Sequence, residues 1–156
     1  MLLDRSAPVL LVEPRASATK IMTDLLLHLG FETIEAVQGS TEAVDLLRDK
    51  GPRLVIADLH IEPMNGLLLL RTIRADERLK RTPFIIAAES LSPAEAVAIK
   101  SAGVDSFLLK PFRAEALEKK VEAALLARPS ARTMAEPVAN RSLTAALGQR
   151  YQRNKA

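Results

Sequence analysis

Glu13, Asp58 and Lys110 each stand directly after a short apolar run: Val9-Leu10-Leu11-Val12, Val55-Ile56-Ala57 and Phe107-Leu108-Leu109. Brought together, two carboxylates and an ammonium make a charged site. An aspartate can attack a phosphoryl group when a cation offsets the negative charge. A second set of residues lies near the C-terminus: Arg128, Arg132, Arg141, Arg150 and Arg153, with Asn140 beside Arg141. From residue 128 onward, five of the six basic residues are arginine. A guanidinium bonds guanine O6 and N7 with two parallel donors, pairs with phosphate and stacks on a purine face, whereas lysine does these poorly. A purely electrostatic tail needs no such bias.

The elements that must position these residues alternate. Val9–Val12 is a continuous apolar run, as in a strand buried on both faces. Ile21, Leu25, Leu26 and Leu29 give helical spacing from Ala18 to Leu29, and Gly30 follows where a helix end favours a left-handed residue. Residues 31–37 read as a second strand. Ser40 and Thr41 are suited to capping a helix that runs to about Lys50. The third strand ends on Asp58, and a loop with Pro63 and Asn65 leads to a helix over 67–75. Residues 84–88 form the fourth strand. Ser92-Pro93-Ala94-Glu95 is a capping box with proline in the first turn. A fifth strand over 104–109 and a helix over 114–127 complete the series. Five apolar strands joined by helices predict an α/β fold with a parallel sheet covered on both faces. The flavodoxin-like (βα)5 arrangement of order 2-1-3-4-5 is its small version, with the site at the carboxyl ends of the strands. Those ends hold Glu13, Asp58 and Lys110.

Composition narrows the possibilities. The chain has no cysteine, so disulfides and thiolate metal sites are excluded, and His28 and His60 are isolated. No apolar stretch approaches the roughly 20 residues that cross a bilayer, and the N-terminus lacks a signal peptide's long apolar region. A cytoplasmic protein is expected. Nearly half the residues are apolar, enough for a core of Leu, Ile, Val and Ala. The formal charge of +3 is uneven: six basic residues against Glu136 give +5 from residue 128 onward and leave −2 for residues 1–127. We therefore expect one domain over 1–127 and an arginine-rich tail over 128–156, flexible without a ligand.

In order and spacing, Val9-Leu10-Leu11-Val12-Glu13, Val55-Ile56-Ala57-Asp58, Met64-Asn65-Gly66 and Leu108-Leu109-Lys110-Pro111-Phe112 resemble the receiver domains of two-component and chemotaxis response regulators. The resemblance covers about residues 8–127. It implies that Asp58 is the phosphoacceptor position, that Lys110 pairs with it, and that Lys110-Pro111 is cis. It also implies Mg2+ held by acids after the first strand, by Asp58 and by the His60 carbonyl. Three positions depart from the pattern. Pro14 replaces the second acid and brings no side-chain oxygen. Ala88 replaces the Ser or Thr whose hydroxyl bonds the phosphate. Phe107 fills the aromatic switch position without a phenolic hydroxyl. Asp58 is then either a phosphoacceptor or a structural acid paired to Lys110, and Glu13 either an orphaned acid or a weak metal ligand.

The tail adds a second resemblance. Arg128 and Arg132 have the Arg-x-x-x-Arg spacing of cyclic di-GMP receptors of the PilZ kind. A receiver with an arginine-rich extension is similar to the Cle proteins, which are chemotaxis-regulator-like, bind cyclic di-GMP and act on the flagellar motor. The resemblance makes Arg128, Arg132, Asn140, Arg141, Arg150 and Arg153 the candidate ligand contacts, with Tyr151 able to stack on a base. It implies a binding switch and not an enzyme. The expected partner is a flagellar motor component, met through the face of the fourth helix, fifth strand and fifth helix, roughly residues 92–127. Control by phosphorylation of Asp58, with a histidine kinase as partner, is the alternative. Nonspecific nucleic-acid binding would show steep salt dependence and no guanine preference, and the acidic domain argues against it.

Overall fold

The computed structural model describes residues 4–128. Its elements alternate strictly: β1 (Val9–Val12), α1 (Ala16–His28), β2 (Ile34–Val37), α2 (Ser40–Lys50), β3 (Leu54–Asp58), α3 (Gly66–Ala75), β4 (Phe84–Ala88), α4 (Pro93–Ser101), β5 (Ser106–Leu109) and α5 (Ala114–Ala127). The strands form one parallel sheet of order β2-β1-β3-β4-β5, the flavodoxin-like order expected from the alternation. α5 ends at Ala127, where the tail was expected to begin; residues 129–156 lie outside the described residues.

The helices bury the two faces of the sheet separately. Leu10, Val12, Val55 and Ala57 point to one side and pack with Val44, Leu47, Leu69, Leu70, Ile73 and Ile99 of α2, α3 and α4. Val9, Leu11, Leu54 and Ile56 point to the other and meet Met22, Leu26, Leu117, Val121 and Ala124 of α1 and α5. The period of two in a strand explains this division. It also explains β5, where Leu108 is buried among the α1 and α5 contacts while Phe107 and Leu109 are exposed.

Several boundaries differ from the sequence reading. α1 begins at Ala16, earlier than the apolar spacing indicated, because its first turn is solvent-facing and shows no periodicity. β2 begins at Ile34 and β5 at Ser106, since only those residues pair with β1 and β4. Ser40 does not cap α2: the N-cap is Gly39, and the Ser40 hydroxyl accepts a hydrogen bond from the Met64 N–H at 2.8 Å, tying α2 to the loop before α3. The other end signals hold. Gly30 has φ +97°, and Ser92 and Glu95 form both halves of the capping box. Asn65, read only as a loop residue, caps α3 by accepting from the Leu68 N–H at 2.9 Å, so that helix starts at Gly66.

Candidate functional site

Strand register brings the acids together. Val12 pairs with Ala57, so the next residues, Glu13 and Asp58, leave adjacent strands side by side. Ala88 pairs with Leu109, and the Lys110 N–H donates to the Ala88 carbonyl at 2.8 Å, which carries Lys110 to the same end. Close packing holds that end in place. A Cβ on Gly66 would lie 2.9 Å from the Asp58 carbonyl oxygen and 3.0 Å from Leu59 Cα, so α3 starts hard against the end of β3. The peptide bonds Lys110-Pro111 and Glu62-Pro63 are both cis, the first as the resemblance implied.

Glu13 and Asp58 are only 5% and 8% exposed, and an ionised buried carboxylate needs partners. Each of the four oxygens has one. The Lys110 ammonium donates to Asp58 Oδ2 at 2.5 Å and to Glu13 Oε1 at 2.7 Å. The His60 N–H donates to Asp58 Oδ1 at 2.7 Å, and the Arg15 N–H donates to Glu13 Oε2 at 3.1 Å. Arg15 Nε lies 3.5 Å from the same oxygen, and Arg15 Nη1 lies 3.5 Å from Glu89 Oε2. Burial acts to lower the Lys110 pKa, but the hydrogen bonds and charges of Asp58 and Glu13 outweigh it and the net shift is upward. Arg15 is likewise raised, chiefly by the Glu13 charge. Lys110 is therefore a fixed cation at neutral pH.

Glu13 is thus not orphaned; it shares the ammonium with Asp58. Among the described residues no three His, Cys, Asp or Glu side chains converge to hold a metal. Pro14 adds no side-chain donor, and every oxygen of the two acids already accepts from the chain's own cations and amides. This donor set does not fit a divalent ion. Ala88, which follows the Ala87 paired with Asp58, is buried and offers only a methyl group. Arg15 and Glu89, which extend the cluster from Glu13 toward solvent, were missed in the sequence. The available signal was a cation two residues after Glu13 and an acid directly after Ala88.

Arg128 is the one candidate ligand contact within the described residues. Arg132, Asn140, Arg141, Arg150 and Arg153 lie outside them, as does Tyr151. Arg128 Nε donates to Asp105 Oδ1 at 2.8 Å, and its Nη2 donates to the Gly103 carbonyl at 3.4 Å. Asp105 Oδ2 accepts from Arg74 Nη2 at 3.0 Å and from the Phe84 N–H at 2.9 Å. Arg74 also donates to the carbonyls of Gly103, Lys80 and Thr82. Burial and the Arg128 charge press its pKa down to about 10, against the pull of Asp105. This cluster sits where β4 and β5 begin, at the end of the sheet remote from Asp58.

Residues 9–122 match the response regulator receiver domain family. The chain belongs to that family. It is 31% identical over 114 residues to the chemotaxis protein CheY of Pseudomonas aeruginosa, covering 73% of this chain and 92% of that protein. It is 30% identical over 118 residues to the chemotaxis protein CheY1 of Helicobacter pylori, covering 75% and 95%. The high-resolution structure of the chemotaxis response regulator CheY4 of Vibrio cholerae superposes with a TM-score of 0.68 at 26% identity, covering 76% of this chain and 98% of that one. The protein is thus a CheY-like receiver domain of two-component signalling. Among the described residues no helix is long and apolar enough to cross a membrane.

Proposed function

We propose that this receiver is a signalling effector whose arginine-rich segment, 128–156, binds cyclic di-GMP, and that the liganded protein engages a flagellar motor component. The observation that carries this reading is the arginine bias beyond residue 127, five of six basic residues, on a domain that is itself acidic. The dinucleotide offers two guanine edges, two phosphates and two purine faces, each of which a guanidinium matches. Arg128 supports the reading by its position. Its pairing with Asp105 starts the segment at the end of the sheet remote from Asp58. Asp105 keeps Arg74 and the Phe84 N–H on its other oxygen, so Arg128 is the member of the cluster that a ligand can recruit at least cost.

The partner face is that of α4, β5 and α5, and its groove lies on β5 and α5. Phe107 is 41% exposed and Leu109 half-exposed, beside a groove of about 600 Å³ lined by Phe107, Pro111, Phe112, Ala116, Lys119 and Lys120. The Lys120 ammonium lies 5.6 Å from the Phe107 ring centroid. An apolar floor with a cationic rim fits an acidic segment with apolar anchors.

Ultraviolet crosslinking of labelled cyclic di-GMP to the full chain tests the ligand. Labelling should be suppressed by unlabelled cyclic di-GMP but not by GTP, and be lost in Arg132→Ala/Arg141→Ala. Equal suppression by GTP would reduce the tail to a nonspecific anion binder.

The second reading is phosphorylation of Asp58 by a histidine kinase. One observation favours it: Asp58 and Lys110 meet at 2.5 Å at the carboxyl ends of β3 and β5, as the family's acceptor and lysine do. It predicts phosphoryl transfer from a kinase or acetyl phosphate that Asp58→Asn abolishes.

A further inference from the structure

We infer that the acid pair Glu13–Asp58 is neutralised permanently by Lys110 and Arg15, and that this receiver takes no divalent cation at its Asp58 pocket. The inference is independent of what the tail binds.

Charge balance is the first support. The two buried carboxylates contribute −2, which the Lys110 ammonium and the half-exposed Arg15 guanidinium offset with +2; Glu89 meets Arg15 only from the solvent side. A divalent ion added to this set would be an excess charge in a largely buried pocket, facing two cations at close range. Donor geometry is the second. Mg2+ demands near-octahedral oxygen ligation and keeps its waters reluctantly exchanged. At Asp58 Oδ2 or Glu13 Oε1 it would stand against the Lys110 ammonium, which bonds both, at 2.5 and 2.7 Å. To reach Glu13 Oε2 it would have to displace Arg15, whose backbone N–H and guanidinium both address that oxygen. Asp58 Oδ1 is held by the His60 N–H at 2.7 Å.

The local sequence makes the arrangement self-consistent. Pro14 removes a side-chain oxygen where an acid would stand. The next residue is an arginine at the N-cap of α1, in extended conformation, so its N–H turns back onto Glu13. Its guanidinium then spans from Glu13 toward Glu89 at the end of β4. Arg15 is thus the positioning residue that occupies the cation's side of Glu13. Lys110, inserted between the acids, does the same from β5.

Mn2+ is the probe, because bound Mn2+ broadens nearby amide signals. It is titrated into the 15N-labelled full chain at neutral pH, and the Glu13, Asp58 and His60 amides are followed. The wild-type chain is expected to show no saturable broadening at these amides. Pro14→Asp restores a carboxylate ligand, and Pro14→Asp/Arg15→Ala also removes the competing cation. At least one of the two is expected to gain saturable broadening centred on the same amides. Saturable broadening in the wild-type chain would overturn the inference. Failure of both variants, each checked for a native amide spectrum, would overturn the assignment of exclusion to Pro14 and Arg15.

Discussion

Replacing Lys110 by methionine keeps most of the side-chain volume and removes the ammonium shared by Glu13 and Asp58. The Lys110 side chain is only 13% exposed, and those of Glu13 and Asp58 are 6% and 8% exposed, so solvent does little to compensate. Breaking a buried ion pair by removing one partner costs ~3–5 kcal/mol. Two charge-assisted hydrogen bonds, at ~1.5–3 kcal/mol each, give a similar figure. The His60 and Arg15 N–H groups still serve the acids, so the lower end, about 3 kcal/mol, is expected. For a domain of this size that lowers Tm by roughly 10 °C. Urea unfolding followed by far-UV circular dichroism at neutral pH measures it. The Lys110 pKa is raised in the fold, so its contribution is complete below the unfolded value of 10.5 and is lost only as pH rises through the higher folded value. Neutral pH therefore reads the full effect. Glu13→Gln/Asp58→Asn/Lys110→Met removes all three charges together and should return to within ~1 kcal/mol of the wild-type chain. A Lys110→Met loss under ~1 kcal/mol, or a triple variant no more stable than the single one, would refute the account of a mutually neutralised cluster.

Three further outcomes are expected. Gly66→Ala forces a Cβ to within 3.0 Å of the backbone at Asp58 and Leu59 and should cost ~1–3 kcal/mol in the same urea assay, with the Asp58 and His60 amide signals moving most. Asp105→Asn leaves the buried Arg74 beside Arg128 without a carboxylate and should cost about 3 kcal/mol, whereas Arg128→Ala, which leaves the Arg74–Asp105 pair intact, should cost less than half of that. The Glu35 pKa is lowered in the fold, first by its hydrogen bond from Lys50 and then by the Arg53 charge, against the effect of burial. Its stabilisation is present above the unfolded value of 4.5 and lost as pH falls through the lower folded value, so Tm curves of wild type and Glu35→Gln should converge at acid pH and separate near neutrality.

The convergence of Glu13, Asp58 and Lys110 was legible in the sequence because parallel strands joined by helical crossovers put their carboxyl ends on one edge. Apolar runs located those ends to within a residue. Capping chemistry located the start of α4, because Ser92 acts on an N–H group three residues away; the same chemistry at Asn65 went unread, and α3 begins at Gly66, one residue before the start the apolar spacing indicated. Longer-range pairings were not legible. Arg15 and Glu89 are 74 residues apart, and Arg74 and Asp105 are 31 apart; nothing local indicates which charge meets which. Ser40 shows the limit of local rules, since its hydroxyl serves the Met64 N–H, 24 residues on, in place of its own helix. Arg128 was read as a tail residue by composition, yet it closes the receiver through Asp105.

That pairing shapes the decisive test. Cyclic di-GMP should be titrated by calorimetry into the full chain and into a shortened chain ending at Arg128, which keeps the Asp105 contact, with GTP as the control nucleotide. The account predicts saturable binding of cyclic di-GMP by the full chain, none by the shortened chain, and no comparable heat with GTP. Binding that survives the truncation, or its absence from the full chain, would contradict it.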